Sequence, residues 1–215
     1  RDPCLEITLV SRSNYLLFTP MLAEVASSGL EPQHISAPVR ASCPHTRFHR
    51  GQVVEINTEA QLVRIHSGGS VPTEELPYDH LVLALGSVPN YFGLPGMAEH
   101  SFKLKTLEDA TQLRNHIIGL LEDVDVEPDD EGRGSQLTFA VAGGGFAGTE
   151  AITELFDMVH SVLRYYPTIR ARDLRFVLIH SRDRILPELG AQLGDHALRK
   201  LRVRGIEFML ETRVA

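Results

Sequence analysis

The sequence has no tryptophan, only 2 cysteines, and no apolar run near the ~18 residues that a membrane-spanning helix needs. Cys4 and Cys43 stand in unrelated contexts, which excludes a C-x-x-C redox pair, a disulfide scaffold and a cysteine-based zinc site. No signal peptide is expected at the N-terminus. Positive charge is also short: 21 Lys+Arg against 28 Asp+Glu give a net charge of -7. Seven of those acids, with no base among them, fall in residues 122–131, and the remaining 21 balance the 21 bases. Such a run reads as a solvated loop, and without a compensating basic face no nucleic-acid partner is expected. Neither the 17 Gly nor the 12 Pro are enough for a disordered or collagen-like chain. What is present, 43% hydrophobic residues in 215, can form a real core in one large or two small domains of a soluble, cytosolic protein.

Periodicity divides the chain into two unlike halves. In the front half, residues 5–10, 53–56, 62–66 and 78–85 read as strands, and residues 21–26 as a short helix closed at Gly29. From residue 106 the pattern becomes regular. Leu107, Ala110, Leu113, Ile117 and Leu121 mark an amphipathic helix over 106–122, with Glu108, Asp109 and Arg114 facing water. Strands at 137–142, 174–179 and 206–210 then alternate with helices at 149–166 and 193–204. Short apolar strands joined by helical crossovers predict an α/β fold with a parallel sheet covered on both faces. His45 and His49 lie four apart, but next to Pro44 in a predicted loop, so no metal site is expected.

The strongest local signal follows the strand at 137–142. Gly143, Gly145 and Gly148 form G-x-G-x-x-G, with Phe146 inside it, at a strand-to-helix junction. The first glycine permits the tight turn, the second lets backbone approach a diphosphate, and the third lets helix and strand pack closely. The helix start then offers free N–H groups and a partial positive charge to phosphate. At the end of the next strand, His180 stands where a ribose-binding carboxylate is usual, followed by Arg182, Asp183 and Arg184. Two readings remain open: solvated loop arginines, or arginines that accept a 2′-phosphate, in which case NADPH is tolerated and NADH slightly favoured. Glu150, read as lying in the first helical turn, has a plain alternative as a helix-end charge.

Several of these segments together resemble a known family. Residues 14–26, from Asn14-Tyr15 through Phe18-Thr19-Pro20-Met21-Leu22 to Ala26, are similar to a segment of the FAD domain of type II NADH:quinone dehydrogenases. Residues 78–90, with Gly93-Leu94-Pro95-Gly96, resemble the strand and loop joining that family's two domains. Residues 143–150 resemble its NADH loop, and Arg184-Ile185-Leu186-Pro187 its following turn. The resemblance implies two dinucleotide-binding, Rossmann-like domains, with the NAD domain inserted in an incomplete FAD domain. Residues 1–104 would be the partial FAD-binding domain and 105–215 the NAD(P)H-binding domain. It implies hydride transfer from NADH to FAD, with electrons passed on to a quinone as acceptor. Carried over by motif, Ser11 and Arg12 lie by the FAD adenosine, and Phe18, Pro20 and Leu22 approach the isoalloxazine. Val54 touches the adenine through backbone. Ala84, Leu85, Gly86 and Ser87 line the pyrophosphate and ribose, and Glu150 stands beside the nicotinamide–flavin stack as the catalytic residue.

The family's first strand and N-terminal FAD glycine loop have no counterpart here, nor has its C-terminal FAD motif with the amphipathic helices that seat it on the membrane. The chain therefore reads as the middle of a longer protein, expected by itself to retain FAD weakly and to reduce quinone poorly. Ser11 replaces the acidic residue expected at the FAD ribose, removing a charge-assisted hydrogen bond of ~1.5–3 kcal/mol. The complete protein is expected in the cytoplasm, peripheral on the inner face of the cell membrane, and a homodimer is left open. A sulfide:quinone oxidoreductase needs reactive cysteines at the flavin, which neither Cys4 nor Cys43 suggests. A non-catalytic NAD(P)H-binding or redox-sensing module built on 137–215 stands as the alternative from a different class.

Overall fold

The computed structural model describes residues 5–69, 72–126 and 134–214. In chain order the strands and helices are β1 (Thr8–Ser11), β2 (Tyr15–Leu17), α1 (Leu22–Ala26), β3 (Ser36–Pro38), α2 (Val39–Ser42), β4 (Arg47–Arg50), β5 (Gln52–Asn57) and β6 (Leu62–His66). They continue with β7 (Glu74–Pro77), α3 (Met97–His100), α4 (Leu107–Val126), β8 (Thr138–Ala142), α5 (Phe146–Val162), β9 (Arg175–Ile179), α6 (Ala191–Arg204) and β10 (Ile206–Met209). The contacts group them into two compact units, residues 1–18 with 33–87 and residues 19–32 with 88–215.

The first unit holds three small sheets. β1 pairs parallel with β4, β2 antiparallel with β3, and β5, β6 and β7 form an antiparallel meander. The β5–β6 turn is closed by Asn57, whose Oδ1 accepts the N–H groups of Glu59 at 3.1 Å and Ala60 at 2.8 Å. The strand expected over 78–85 is not formed: residues 81–90 carry no regular structure, and Val82 is 86% exposed and Leu85 77%. A continuous apolar run requires a neighbour on each side to become a buried strand. Among the described residues no strand pairs with this one.

The second unit is built as the alternation predicts. β8, β9 and β10 lie parallel in the order β10-β9-β8, with α5 and α6 as the crossovers. β9 is central, and Phe176, Val177 and Leu178 are all buried, as a strand covered on both faces requires. Ile152, Leu155 and Val159, spaced by three and four along α5, join Phe176, Leu178, Leu137 and Ile206 in one core. α4 adds Ile117, Leu121 and Val124.

Two local readings change. α4 runs on to Val126, so the first acids of the run are helical rather than in a loop; Glu122 and Asp123 are exposed, Asp125 Oδ1 accepts the Thr168 N–H at 3.0 Å and Glu122 accepts the Tyr166 hydroxyl at 3.0 Å. The rest of the acidic run, residues 127–131, lies outside the described residues. Asp109 does not face water but is buried, because it closes the start of the helix. Its Oδ2 accepts N–H groups from Lys105 at 3.1 Å and Thr106 at 2.9 Å, and Thr106 Oγ1 accepts its own N–H at 3.1 Å. Residues 19–32 group by contacts with the second unit. α1 buries Leu22, Ala23, Val25 and Ala26 and packs on α4 and α5, which draws residues 19–32 into the second unit.

Candidate nucleotide-binding site

The site begins where β8 runs out. Gly143 has φ +119°, open to glycine but strained for any side chain, and its N–H bonds the carbonyl of Ile179 at 2.8 Å, tying the loop to the end of β9. At Gly148 an added Cβ would stand 1.8 Å from the Gly143 carbonyl oxygen, so helix and turn approach to a distance that only glycine permits. α5 begins at Phe146, three residues earlier than the sequence suggests, with Gly145 in extended conformation before it. Glycine has no side chain to cap a helix, and none does so here. Glu150 consequently falls in the second turn, and no acidic residue occupies the first. A long helix with an uncapped, glycine-lined entrance and no acid in its own first turn is suited to a diphosphate.

The connection from β9 to α6 flanks this loop. Gly144 donates its N–H to Nδ1 of His180 at 3.0 Å and accepts the Leu186 N–H on its carbonyl at 2.6 Å. Nε2 of His180 is buried with no hydrogen-bond partner among the described residues. Burial, and next Arg182, hold the ring's pKa below the ordinary histidine value, while Glu188 and Asp183 pull it up. Arg182 and Asp183 are exposed and Arg184 half-buried. Glu188, which the sequence reading passed over, brings Oε1 within 3.6 Å of where a Gly145 Cβ would be.

Carboxylates gather on α5 and α1. Glu150 is exposed at its surface, but partial desolvation, then the charges of Glu24 and Glu154, raise its pKa above the ordinary carboxyl value. Glu154 Oε2 accepts the Ser27 hydroxyl at 3.0 Å, while Glu24 Oε2 is buried without a hydrogen-bond partner among the described residues. Glu24 carried no motif, and only the packing of α1 on α5 reveals it, whereas Glu154 follows Glu150 by one helical turn. A carboxyl crowded by two others is suited to holding a proton nearer neutral pH than an isolated one.

The residues assigned to FAD are dispersed over both units. In the first unit, Ser11 Oγ accepts the Ser13 N–H at 3.3 Å, Arg12 is exposed, and Phe18 and Val54 are 58% and 52% exposed. Ala84, Leu85, Gly86 and Ser87 lie in the exposed segment 81–90, and Gly86 has φ +70° with nothing near a would-be Cβ. In the second unit, Pro20 is exposed, whereas the Leu22 side chain is buried in the packing of α1. Cys43 is a free, half-buried thiol, Cys4 lies outside the described residues, and among those residues no group of three His, Cys, Asp or Glu is placed to hold a metal ion. No helix among them is long and apolar enough to cross a membrane.

A parallel sheet with helical crossovers, and a glycine turn opening the helix after its first strand, define the dinucleotide-binding class of α/β folds. Residues 2–215 match the model of the pyridine nucleotide-disulphide oxidoreductase family, and the chain belongs to that family. Within it, the resemblance to type II NADH:quinone oxidoreductases is borne out. The chain is 30% identical over 213 residues to the type II NADH:quinone oxidoreductase Ndh of Mycobacterium tuberculosis, covering 97% of this chain and 46% of that one. It is 30% identical over 218 residues to the mitochondrial external alternative NADH-ubiquinone oxidoreductase of Yarrowia lipolytica, covering 97% and 37%. The fold superimposes on NDH2 of Plasmodium falciparum in complex with NADH with a TM-score of 0.87 at 22% identity, over 95% of this chain and 43% of that one. The chain thus spans less than half the length of these relatives.

Proposed function

We propose that this chain is the nicotinamide-nucleotide-binding part, with a portion of the flavin-binding part, of an FAD-dependent oxidoreductase that takes hydride from NADH and passes electrons to a quinone at the inner face of the membrane. The observation that carries the reading is the glycine turn: Gly148 fitted against the Gly143 carbonyl beneath an uncapped helix entrance. In this reading the N–H groups at the start of α5 hold the NADH diphosphate. FAD, when bound, supplies the hydride acceptor and the route for single electrons. In the first unit the exposed Arg12, Phe18, Val54 and the 84–87 backbone offer open faces suited to holding it, and Ser11 is half-buried. Glu150 holds a proton beside the reacting ring. Titration of this chain with NADH, and NADH oxidation by the complete protein with ferricyanide or a soluble quinone, with and without FAD, test the reading. Saturable binding with FAD-dependent oxidation is expected, and absence of saturable binding overturns it. Binding without turnover would favour the non-catalytic module.

Two expectations follow for single residues. Glu150→Gln places a neutral side chain where partial desolvation and two neighbouring carboxylates disfavour charge. In the complete protein it is expected to slow FAD-dependent turnover by about ten- to a hundredfold, while the melting temperature at neutral pH stays level or rises. The sign follows from linkage: a carboxyl whose folded pKa is raised costs stability as pH climbs through that value, and glutamine does not. Unchanged kcat would remove Glu150 from the reaction. For the nucleotide itself, the missing carboxylate at the end of β9 and the exposed Arg182 support tolerance of NADPH, with NADH slightly favoured. Dissociation constants for the two within about tenfold are expected, and a preference for NADH of hundreds-fold would refute the assignment.

A further inference from the structure

Two successive peptide groups of the glycine loop are fixed from outside it, one by the His180 ring through the Gly144 N–H and the other by the Leu186 N–H through the Gly144 carbonyl. A Cβ on Gly144 would lie 2.8 Å from the His180 ring, so the variable position of G-x-G-x-x-G is itself glycine because that ring covers it. The backbone that carries the ring is pinned as well: His180 bonds the Met209 carbonyl through its main-chain N–H at 2.9 Å and the Thr212 N–H through its carbonyl at 3.0 Å. A ring nitrogen that accepts an N–H carries no proton, so the ring is neutral and its single proton sits on Nε2. That nitrogen is enclosed and bonds nothing among the described residues, so neither ring nitrogen is turned to an open surface for a ribose hydroxyl.

We propose that His180 is a positioning residue for the nucleotide diphosphate: its neutral Nδ1 clasps the Gly144 N–H and so aims the amides at the entrance of α5, and protonation of the ring opens the clasp and weakens dinucleotide binding. The inference rests on the dinucleotide reading above. Protonation puts a second N–H against the Gly144 N–H; two donors then face each other, and one has to turn away. The charged groups facing the ring are Arg182, which opposes the added charge, and Asp183 and Glu188, which favour it. Burial sides with Arg182, so the clasp is closed at neutral pH and opens in acid. Affinity is therefore full above the histidine's folded pKa and falls as pH drops through it. An imidazolium touching phosphate directly has the opposite sign, because its charge would draw the anion in as pH falls.

The test is NADH titration of the full chain from about pH 8 down to about pH 5, for wild type, His180→Asn and His180→Ala. Asn places its Oδ1 close to where Nδ1 stood and does not titrate. The wild type is expected to lose affinity by about tenfold on acidification. Asn should hold the high-pH affinity throughout, and Ala should bind weakly at every pH with an unchanged circular dichroism spectrum. A wild-type affinity that stays level or rises in acid, or an Ala variant that binds as wild type does, overturns the clasp. A second readout needs no nucleotide: the Gly144 amide resonance should titrate in the wild type, with a midpoint below that of free histidine, and lie flat in the Asn variant. If NADH fails to bind at any pH, the dinucleotide reading falls, and the amide titration still decides whether the clasp exists. A Gly144 resonance that ignores pH in the wild type refutes it.

Discussion

Gly148→Ala is expected to abolish measurable NADH binding, a loss of at least about a hundredfold, while most of the fold survives. The new methyl carbon would stand 1.8 Å from the Gly143 oxygen and 2.9 Å from its carbonyl carbon. Neither side can yield cheaply. Gly143 is held at φ +119° with its N–H bonded to Ile179, and α5 is anchored through Ile152, Leu155 and Val159 in the core. The helix entrance has to lift away from the turn, which spreads the amides that would grip phosphate. Overpacking of this kind costs roughly 1–3 kcal/mol of stability, so urea denaturation should show a lowered but still cooperative transition. Gly119→Ala is the control, since its Cβ meets nothing within 4 Å in the middle of α4; it should raise stability by up to ~1 kcal/mol and leave binding alone. Wild-type affinity in Gly148→Ala would mean that the loop is not a phosphate cradle.

The difference between what the residues announced and what packing revealed has a physical cause. The second unit was legible because each of its signals is local. A buried strand, a glycine turn and an amphipathic helix follow one another within the chain, and each reads correctly without knowledge of its neighbours. Asp109 misled because charge was taken as exposure, whereas its position three residues after Thr106 is a capping box. β4 escaped notice because Arg47-Phe48-His49-Arg50 carries one apolar side chain, and only pairing with β1 makes it a strand. The 78–85 run misled in the reverse direction: its hydrophobicity is a demand for partners, and a sequence pattern cannot say whether they are supplied. In the site, Gly143, Gly145 and Gly148 were visible as a motif. The grip of His180 on Gly144, and the approach of Glu24 to Glu150, join residues far apart in sequence and leave no periodic trace, whereas Glu154, four residues after Glu150 on one helix, was open to reading from the spacing.

Phe176→Ala is expected to produce the largest loss of stability of any single substitution considered, roughly 3–5 kcal/mol from the lost burial and the cavity it leaves. The ring is 2% exposed at the centre of β9, with Phe139 stacked on it at 5.0 Å between centroids, Phe156 tilted against it at 5.0 Å and His160 at 5.7 Å. Aromatic contacts of this geometry add about 0.5–1.5 kcal/mol to the area term, and among the described residues no other ring of the unit touches as many. A domain stable by about 5–15 kcal/mol would lose a large part of its margin, so the urea midpoint should fall sharply. Phe176→Leu, which keeps most of the volume, should recover the greater part. The effect should reach the site as well, because His180 lies four residues further along the same strand direction, immediately past Ile179. A β9 loosened at Phe176 holds the His180 ring less firmly over Gly144, so NADH affinity should weaken in Phe176→Ala even at temperatures where the variant is fully folded. Gly148→Ala should show the complementary pattern, with binding lost and stability only dented. If Phe176→Ala instead left the urea midpoint where it was, the core assigned around β9 would be wrong, and with it the support for the loop that β9 holds in place.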